Sequence, residues 1–292
     1  MIACVSDIMK REIQTIDFYD GLAKAERLME GNNIGFLPVM KEGKMVGTLA
    51  LKDISKAHPN RIVADVMSKG IISVSSATSL WKAKNILEEN NIERLMVMDD
   101  NELVGLIIQA ELLFELGKHF DLLTGLYRSD YIYYQGMELL TNGCEISIIF
   151  IDLNKFGTVD KDYGHAQGDV ILKELGLLIK NLIPADSYLC RYGGDEFVIL
   201  TPYELDKCVM LAENLIKSIA NNIFSNKLYI TASAGIAGGR RQADRGYASP
   251  EIISDLVNMA SLASTNAKRE KKNIVIAENL YIEDMAEPVL CS

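Results

Sequence analysis

The sequence lacks the features that mark several large classes of protein. Five cysteines are scattered along its 292 residues with no CxxC pair, which favours reduced thiols over a metal or redox site. No apolar run approaches the roughly 20 residues of a membrane-spanning helix. Charged residues come too early at the N-terminus for a secretory signal. We therefore expect a cytoplasmic protein with no membrane contact.

Positive charge is also in short supply. The chain has 30 Lys and Arg against 40 Asp and Glu, which gives a formal net charge of −10. Such a chain repels the phosphates of nucleic acids, so no nucleic-acid partner is expected. A nucleotide ligand remains compatible with this charge, because a bound metal ion supplies positive charge locally. The length suits two domains.

A duplicated pattern fills the first part of the chain. VSDIM at 5–9 returns as VADVM at 63–67, about 58 residues later. Each copy continues with an amphipathic helix, predicted at 19–30 and 80–89, and then with two strands joined by a turn. This β-α-β-β-α repeat over residues 1–115 resembles the tandem CBS (cystathionine β-synthase) domain pair, which forms one disc-like unit.

The CBS resemblance implies a regulatory adenine nucleotide. In that family a Thr/Ser-x-x-Asp segment after the last strand contacts adenosine, and its Asp takes the ribose hydroxyls. Asp53 and Glu111 match the acid in the two repeats, whereas Ala50 and Ile108 replace the hydroxyl residue. We expect one ligand per chain, in the half around Asp53. As alternatives, Asp53 suits a helix N-cap and Glu111 a helix-start acid. The lysines predicted near a phosphate are Lys10, Lys52 and Lys69.

The remainder of the chain predicts a second domain after a connector. ELLFELGKHFDLL at 111–123 has apolar residues at helical spacing, so residues 116–123 are expected to form a connector helix. Gly117 marks a bend, because glycine inside a helix costs about 1 kcal/mol relative to alanine. Residues 124–292 alternate between strand and helix patterns, which indicates a mainly antiparallel sheet covered by helices. The fold class is α/β overall, built from two α+β domains.

The most informative stretch is RYGGDEF at 191–197. Its tip consists of two glycines and two acids, Gly193, Gly194, Asp195 and Glu196. Paired glycines between strands predict a tight hairpin, and without β-carbons they let a bulky ligand lie against the backbone. The predicted strand EISIIFID ends at Asp152, where a carboxylate is well placed to ligate a divalent metal beside the hairpin acids.

These motifs together resemble the GGDEF diguanylate cyclase family over about 170 residues. The other matching segments are DLLTGL at 121–126, IDLNKF at 151–156, DYGHAQGD at 162–169, and Lys268 with Lys272. The resemblance implies a homodimer that condenses two GTP into cyclic di-GMP and pyrophosphate. It also implies Mg²⁺ or Mn²⁺, held by Asp152, the Leu153 carbonyl, Asp195 and Glu196. The implied catalytic residues are Asp195, Glu196 and Lys268.

The same resemblance assigns the substrate contacts. An ionised carboxylate at Asp169 accepts both the N1–H and N2–H donors of guanine, which selects against adenine. As an alternative, Asp169 opens a helix. Lys268 and Lys272 would share one helical face if the helix continues, with a charged helix end as the alternative. The implied GTP-binding residues are Phe156, Asp160, Asp169, Gly193, Gly194, Lys268 and Lys272.

Several positions depart from the GGDEF pattern. Asp160 stands where the family has an asparagine that contacts guanine, and an ionised aspartate accepts hydrogen bonds without donating any. Gly157 removes a lysine near the phosphates. Pro184 and Ser187 replace the Arg and Asp of the product-inhibition motif. His165 is expected to be structural, bonding to backbone in a turn.

Three functions remain open at the level of sequence. A cyclase is favoured by the intact acids and by Lys268. A degenerate domain that binds GTP without condensing it is kept open by Asp160 and Gly157. A cyclase that makes a mixed adenine–guanine product is disfavoured by Asp169.

Overall fold

The computed structural model describes residues 3–58, 60–238 and 249–277. The chain divides into two compact units, Met1–Lys118 and His119–Ser292. Within the described residues, no helix has the length and apolar character needed to cross a membrane. The four described cysteines are free thiols, and Cys291 lies outside the described residues.

The first unit contains the predicted repeat twice. The first copy consists of β1 (Ile16–Asp17), α1 (Leu22–Gly31), β2 (Phe36–Lys41), β3 (Lys44–Ala50) and α2 (Leu51–Ile54). The second copy consists of β4 (Ser73–Val74), α3 (Leu80–Glu89), β5 (Arg94–Asp99), β6 (Glu102–Ile108) and α4 (Gln109–Gly117). In each copy the short first strand runs parallel to the next strand, which forms an antiparallel hairpin with the third.

The two hairpins are built alike because their turn residues accept positive φ. Glu42 and Gly43 have φ of 51° and 78°, and Asp100 and Asn101 have φ of 50° and 66°. Two successive residues at positive φ give the two-residue turn that matches the twist of paired strands. Both hairpins also shift register at the same place, after Val39 and after Val97. The predicted duplication is therefore confirmed at the level of local geometry.

Each copy begins with a leading segment, residues 5–10 in the first copy and 63–68 in the second, and each of these segments packs on the other copy. Lys10 forms two backbone hydrogen bonds with Leu106 of β6, at 2.9 and 3.0 Å. Ser68 forms the equivalent pair with Thr48 of β3, at 2.9 and 2.8 Å. A β-carbon on Gly47 would lie 2.4 Å from the Ser68 carbonyl oxygen, so the close approach requires glycine there. Each leading segment thus packs on the opposite copy, which joins the repeats into one unit.

The second unit is a five-stranded sheet covered by helices on both faces. Its elements are α5 (Ser129–Thr141), β7 (Ser147–Leu153), α6 (Phe156–Tyr163), α7 (His165–Leu182), β8 (Tyr188–Gly193), β9 (Glu196–Thr201), α8 (Leu205–Asn221), β10 (Ala232–Gly238), α9 (Pro250–Glu270) and β11 (Ile274–Ile276). The strand order is β11-β10-β7-β9-β8, and every pair is antiparallel except β10–β11.

Strand β7 crosses the middle of this sheet and sends side chains into both cores. Ile149 and Ile151 pack with α7 and α8, whereas Ile148 and Phe150 pack with α9. This alternation leaves Asp152 on the α9 face, at the end of a fully buried run. The predicted fold class, α+β with a mainly antiparallel sheet, is confirmed.

The predicted connector helix is wrong beyond Gly117, where α4 ends. The backbone of the next residues is held by local hydrogen bonds instead. The Asp121 carboxylate accepts from the Thr124 N–H at 2.8 Å and the Thr124 hydroxyl at 2.7 Å, and the Asp121 N–H donates to the Leu126 carbonyl at 2.8 Å. Such side-chain bonds offer the backbone an alternative to helix, which apolar spacing alone does not reveal.

Candidate functional site

The β8–β9 hairpin carries the acidic tip predicted from its glycines. Its register shifts between Arg191 and Gly193, directly before the turn. A β-carbon on Gly193 would lie 2.8 Å from Oε2 of Glu196, so the Glu196 carboxylate folds back over the glycine backbone. Gly193 therefore positions Glu196 itself, in addition to leaving room for a ligand.

Arg191 holds this tip in place. Its Nε and Nη2 donate to the Gly194 carbonyl at 3.0 and 2.6 Å, and its Nη1 lies 3.0 Å from Oδ1 of Asp121. Burial alone would raise the pKa of Asp121, but hydrogen bonds from Thr124 and Arg191, together with the Arg191 charge, lower it. The ion pair links the hairpin tip to the turn that opens the second unit.

Three carboxylates lie near one another where β7 ends and β9 begins. Asp152 is the register partner of Glu196. Burial raises the pKa of Asp152, Lys268 opposes the shift, and the Asp195 charge adds to it. Burial also raises the pKa of Glu196, and the charges of Asp152 and Asp195 raise it further. Like charges this close favour a cation between them.

Lys268 supplies that cation in the structure. Its Nζ lies 2.5 Å from Oδ1 of Asp152 and donates to the Leu153 carbonyl at 2.6 Å. These are two of the four metal ligands predicted from the sequence. The three carboxylates influence one another's charge, but neither they nor any other three His, Cys, Asp or Glu side chains among the described residues are arranged closely enough to hold a metal ion. The oxygens fit Mg²⁺ chemically, since a carboxylate and a carbonyl already converge on an ammonium group.

The predicted guanine contacts lie where α6 meets α7. Asp160 packs its carboxylate against Gly168, where a β-carbon would lie 2.1 Å from Oδ1. Asp169 is the next residue along α7 and is exposed. Since α7 begins at His165, Asp169 is not in its first turn, and the helix-opening alternative is wrong. Asp160 and Asp169 therefore both lie beside the N-terminal part of α7.

The prediction that the His165 side chain bonds to backbone in a turn is wrong. Its Nδ1 lies 3.3 Å from Oδ2 of Asp160, and its side chain is 90% exposed. The turn at Gly164, with φ of 84°, directs the imidazole toward the preceding helix. Asp160 therefore lies beside the His165 imidazole as well as the Gly168 backbone, a pairing that sequence spacing did not predict.

Two implied GTP contacts remain, Lys272 and Phe156, whose ring would lie 3.5 Å from a β-carbon on Gly168. Phe156 is 7% exposed and packs in the core between the sheet, α7 and α8. Helix α9 ends at Glu270, because Lys271 adopts a left-handed conformation with φ of 57°. Lys268 and Lys272 were expected to share one helical face only if the helix continued, and that condition is not met. The Nζ of Lys272 lies 2.8 Å from Glu270 instead.

The two regulatory acids of the first unit differ in their surroundings. Asp53 is the third residue of α2, whose N-cap is Ala50, so the N-cap alternative is wrong. It makes no hydrogen bond or ion pair with any residue that the structure describes. Glu111 lies in the first turn of α4, as its alternative predicted, and its Oε1 lies 2.7 Å from Nζ of Lys10. Lys10 is thus an ion-pair partner there.

Sequence reasoning missed the residues that support the site. Arg191 and Asp121 belong to the quoted motifs, yet their ion pair joins positions 70 residues apart and has no local signal. Asn154 was also missed. It donates to the Thr231 hydroxyl at 3.2 Å and accepts from the Ser233 hydroxyl at 3.0 Å, which fixes the loop after Asp152.

The chain thus combines a first unit built from two copies of one repeat with a second unit whose β8–β9 hairpin carries acidic residues at its tip. Family models agree with both parts. The model described as "Diguanylate cyclase, GGDEF domain" matches residues 118–274, and the CBS domain model matches residues 5–60 and 63–118. The chain therefore belongs to the GGDEF-domain family of diguanylate cyclases and carries a CBS domain pair before its GGDEF domain.

The individual relatives and solved structures described next each cover part of the chain. The chain is 31% identical over 172 residues to "Uncharacterized protein YhcK" of Bacillus subtilis, covering 54% of this chain and 47% of that protein. It spans about half the length of this curated relative. The GGDEF domain of YfiN from Pseudomonas aeruginosa is 24% identical with a TM-score of 0.47, covering 55% of this chain and 95% of that one. The CBS pair of protein MJ0100, solved with 5′-methylthioadenosine and S-adenosyl-L-methionine, is 24% identical with a TM-score of 0.38, covering 40% and 98%.

Proposed function

We propose that the second unit condenses two GTP into cyclic di-GMP and two pyrophosphates. The observation that carries this proposal is the convergence of Asp152, Asp195 and Glu196 with the Lys268 ammonium at one end of the sheet. Because the reaction consumes GTP, we also propose that the protein acts in the cytoplasm.

A divalent cation fits this cluster. Mg²⁺ or Mn²⁺ would be held by Asp152, the Leu153 carbonyl, Asp195 and Glu196, which are all hard oxygen donors. When bound, it would neutralise triphosphate charge and polarise the α-phosphate. Lys268, once released from Asp152, is placed to bind phosphate oxygens as a point charge.

The chain's own residues account for the rest of the reaction. The 3′-hydroxyl of one GTP attacks the α-phosphorus of the other, and the bond from that phosphorus to pyrophosphate breaks. Glu196, whose pKa is raised by burial and by its two acidic neighbours, accepts the hydroxyl proton. Asp169 accepts the N1–H and N2–H of guanine, so that the base is oriented before the reaction. Two such steps close the ring.

A dimer follows from the chemistry of the product. Each unit provides one acidic cluster and one pair of guanine-facing acids, Asp160 and Asp169. A cyclic dinucleotide requires two GTP molecules held face to face, so two copies of the unit must meet. We therefore propose a homodimer as the active form.

A GTP sensor without turnover is the second candidate function. The Asp160 carboxylate lies 3.3 Å from His165, and Gly157 leaves the phosphate side without a lysine, which favours weak or unproductive GTP binding. Incubation of the protein with GTP and Mg²⁺, followed by chromatography, separates the two functions. Cyclic di-GMP and pyrophosphate support the cyclase, and bound GTP without either product supports the sensor.

The first unit is proposed to bind an adenine nucleotide that alters the cyclase rate. Membership of the CBS family supports the ligand class, and the carboxylate of Asp53, which has no partner among the described residues, supports its position. Phe36 is the register partner of Ala50, which directly precedes the helix of Asp53. The Cζ atom of Arg94 lies 5.7 Å from the centroid of the Phe36 ring, so a cation lies near the end of the same strand pair. A ligand shifts the rate only through its differential affinity, so we expect a coupling of about 1–3 kcal/mol.

A further inference from the structure

The two halves of the CBS pair have matching backbones, so they can be compared position by position. Lys10 meets β6 through the same two backbone hydrogen bonds with which Ser68 meets β3. Asp53 and Glu111 occupy the same place in the helix that follows each of these strands. Any difference between the two halves at these positions is therefore a difference of side chains.

The side chains at the exchanged positions differ in charge and reach. In the second half, the Lys10 ammonium lies 2.7 Å from the Glu111 carboxylate, with the two side chains 50% and 45% exposed. In the first half, the equivalent residue is Ser68, whose short hydroxyl forms no bond with Asp53 among the described residues. One acid is therefore engaged and the other is available.

A second difference acts in the same direction. Ile108 stands directly before α4, where the first half has Ala50 directly before α2. The isoleucine adds three carbon atoms beside the acid at the junction of strand and helix. In the first half the side chain before the helix is therefore smaller, and the acid is not paired with the residue at the exchanged position. Both differences favour ligand binding in the first half.

We propose that the Lys10–Glu111 ion pair blocks the second half of the CBS pair from within. The Lys10 ammonium takes, at Glu111, the place that the ribose hydroxyls of an adenine nucleotide would take at Asp53. The residue at the exchanged position, Lys10 for the second half and Ser68 for the first, therefore determines which half binds the nucleotide. This inference rests on the proposed adenine-nucleotide ligand of the first unit.

The ion pair can be removed without expected harm to the fold. Exposed pairs contribute little to stability, and the backbone bonds of Lys10 do not depend on its side chain. Lys10→Ser combined with Ile108→Ala gives the second half the residues that the first half has at both positions. Ser68→Lys makes the opposite change and places an ammonium beside Asp53. Lys24→Ser is the matched control, because it removes the same charge from another exposed ion pair of the first unit, Lys24 with Asp20 at 2.8 Å.

Isothermal calorimetry of the full chain with AMP tests the inference. We expect one AMP per chain for the natural sequence and for Lys24→Ser, and two for Lys10→Ser/Ile108→Ala. Glu111→Ala added to that double variant should return the count to one. Ser68→Lys should weaken AMP binding at least about tenfold, equivalent to about 1.4 kcal/mol.

The outcomes separate this inference from the proposal on which it rests. One AMP per chain in the double variant, with unchanged binding in Ser68→Lys, overturns the blocking role of Lys10 and leaves the ligand proposal standing. No AMP binding in either the natural sequence or the double variant overturns the ligand proposal and the inference together. Circular dichroism melting curves confirm that each variant is folded.

Discussion

Replacement of Lys268 by glutamine should raise the affinity of the nucleotide-free protein for a divalent metal. In the structure, the Lys268 ammonium binds Asp152 Oδ1 and the Leu153 carbonyl, two of the proposed metal ligands. A metal ion must displace this ammonium before it can reach those oxygens. Glutamine keeps much of the side-chain volume but removes the charge that competes with the metal.

The size of the effect follows from the two contacts. A hydrogen bond to a charged group contributes about 1.5–3 kcal/mol net. The Lys268 side chain is 31% exposed and that of Asp152 is 16% exposed, so solvent screening favours the lower end of this range. Each 1.4 kcal/mol is tenfold in affinity, so Lys268→Gln should bind metal roughly 10- to 30-fold more tightly.

Electron paramagnetic resonance of free Mn²⁺ measures this affinity without nucleotide and without turnover. Lys272→Gln is the control, because it removes the same charge from a lysine that pairs with Glu270 instead of Asp152. Thermal unfolding gives an independent readout. In EDTA, Lys268→Gln should lose about 1 kcal/mol, since Asp152 is left half-buried beside two other acids, and added Mn²⁺ should restore that loss. Equal Mn²⁺ affinity for the two glutamine variants would refute the competition between Lys268 and metal.

Three further predictions concern the second unit. Glu196→Gln should abolish cyclic di-GMP formation, measured by chromatography, while circular dichroism stays unchanged, because a hairpin tip buries little core; sustained turnover would contradict its proposed role as proton acceptor. Asp121→Asn should lower the free energy of unfolding in urea by about 1 kcal/mol at neutral pH. The pKa of Asp121 is lowered in the folded protein. Its contribution to the free energy of unfolding is therefore fully present above the unfolded-state pKa of about 4, and it is lost as the pH falls through the folded-state pKa. The difference between Asp121→Asn and the natural sequence should therefore shrink in acid, and a constant difference would argue against the Arg191 ion pair as its source. With Pro184 and Ser187 in place of an arginine clamp, micromolar cyclic di-GMP should inhibit GTP turnover only weakly, and strong inhibition outside the active site would point to another binding surface.

Several elements could be predicted from the sequence because their signals are local. Helix α3 spans Leu80–Glu89, as its apolar spacing predicted, and the two-residue turns fall at the predicted Glu42-Gly43 and Asp100-Asn101. The apolar run before Asp152 also predicted that this acid lies near the end of a buried strand, and β7 ends one residue later, at Leu153. In each of these cases the information lies within a few residues, in backbone preferences and in side-chain periodicity.

Local signals were insufficient where a side chain competed with the backbone pattern. Apolar spacing extended the connector helix to residue 123, but the Asp121 carboxylate and Thr124 hold that segment in a turn after Gly117. The left-handed residue Lys271 likewise ended α9 before Lys272. Both endings depend on hydrogen bonds that propensity does not encode.

The sequence by itself determined the duplication, the two fold types and the identity of the residues in the acidic cluster. Tertiary structure alone decided which partner each acid has. Lys268 reaches the Leu153 carbonyl across 115 residues, and Lys10 meets Glu111 because the leading segments of the two repeats are exchanged. Strand and turn preferences act over a few residues, whereas these pairings depend on sheet order and on how distant segments pack together.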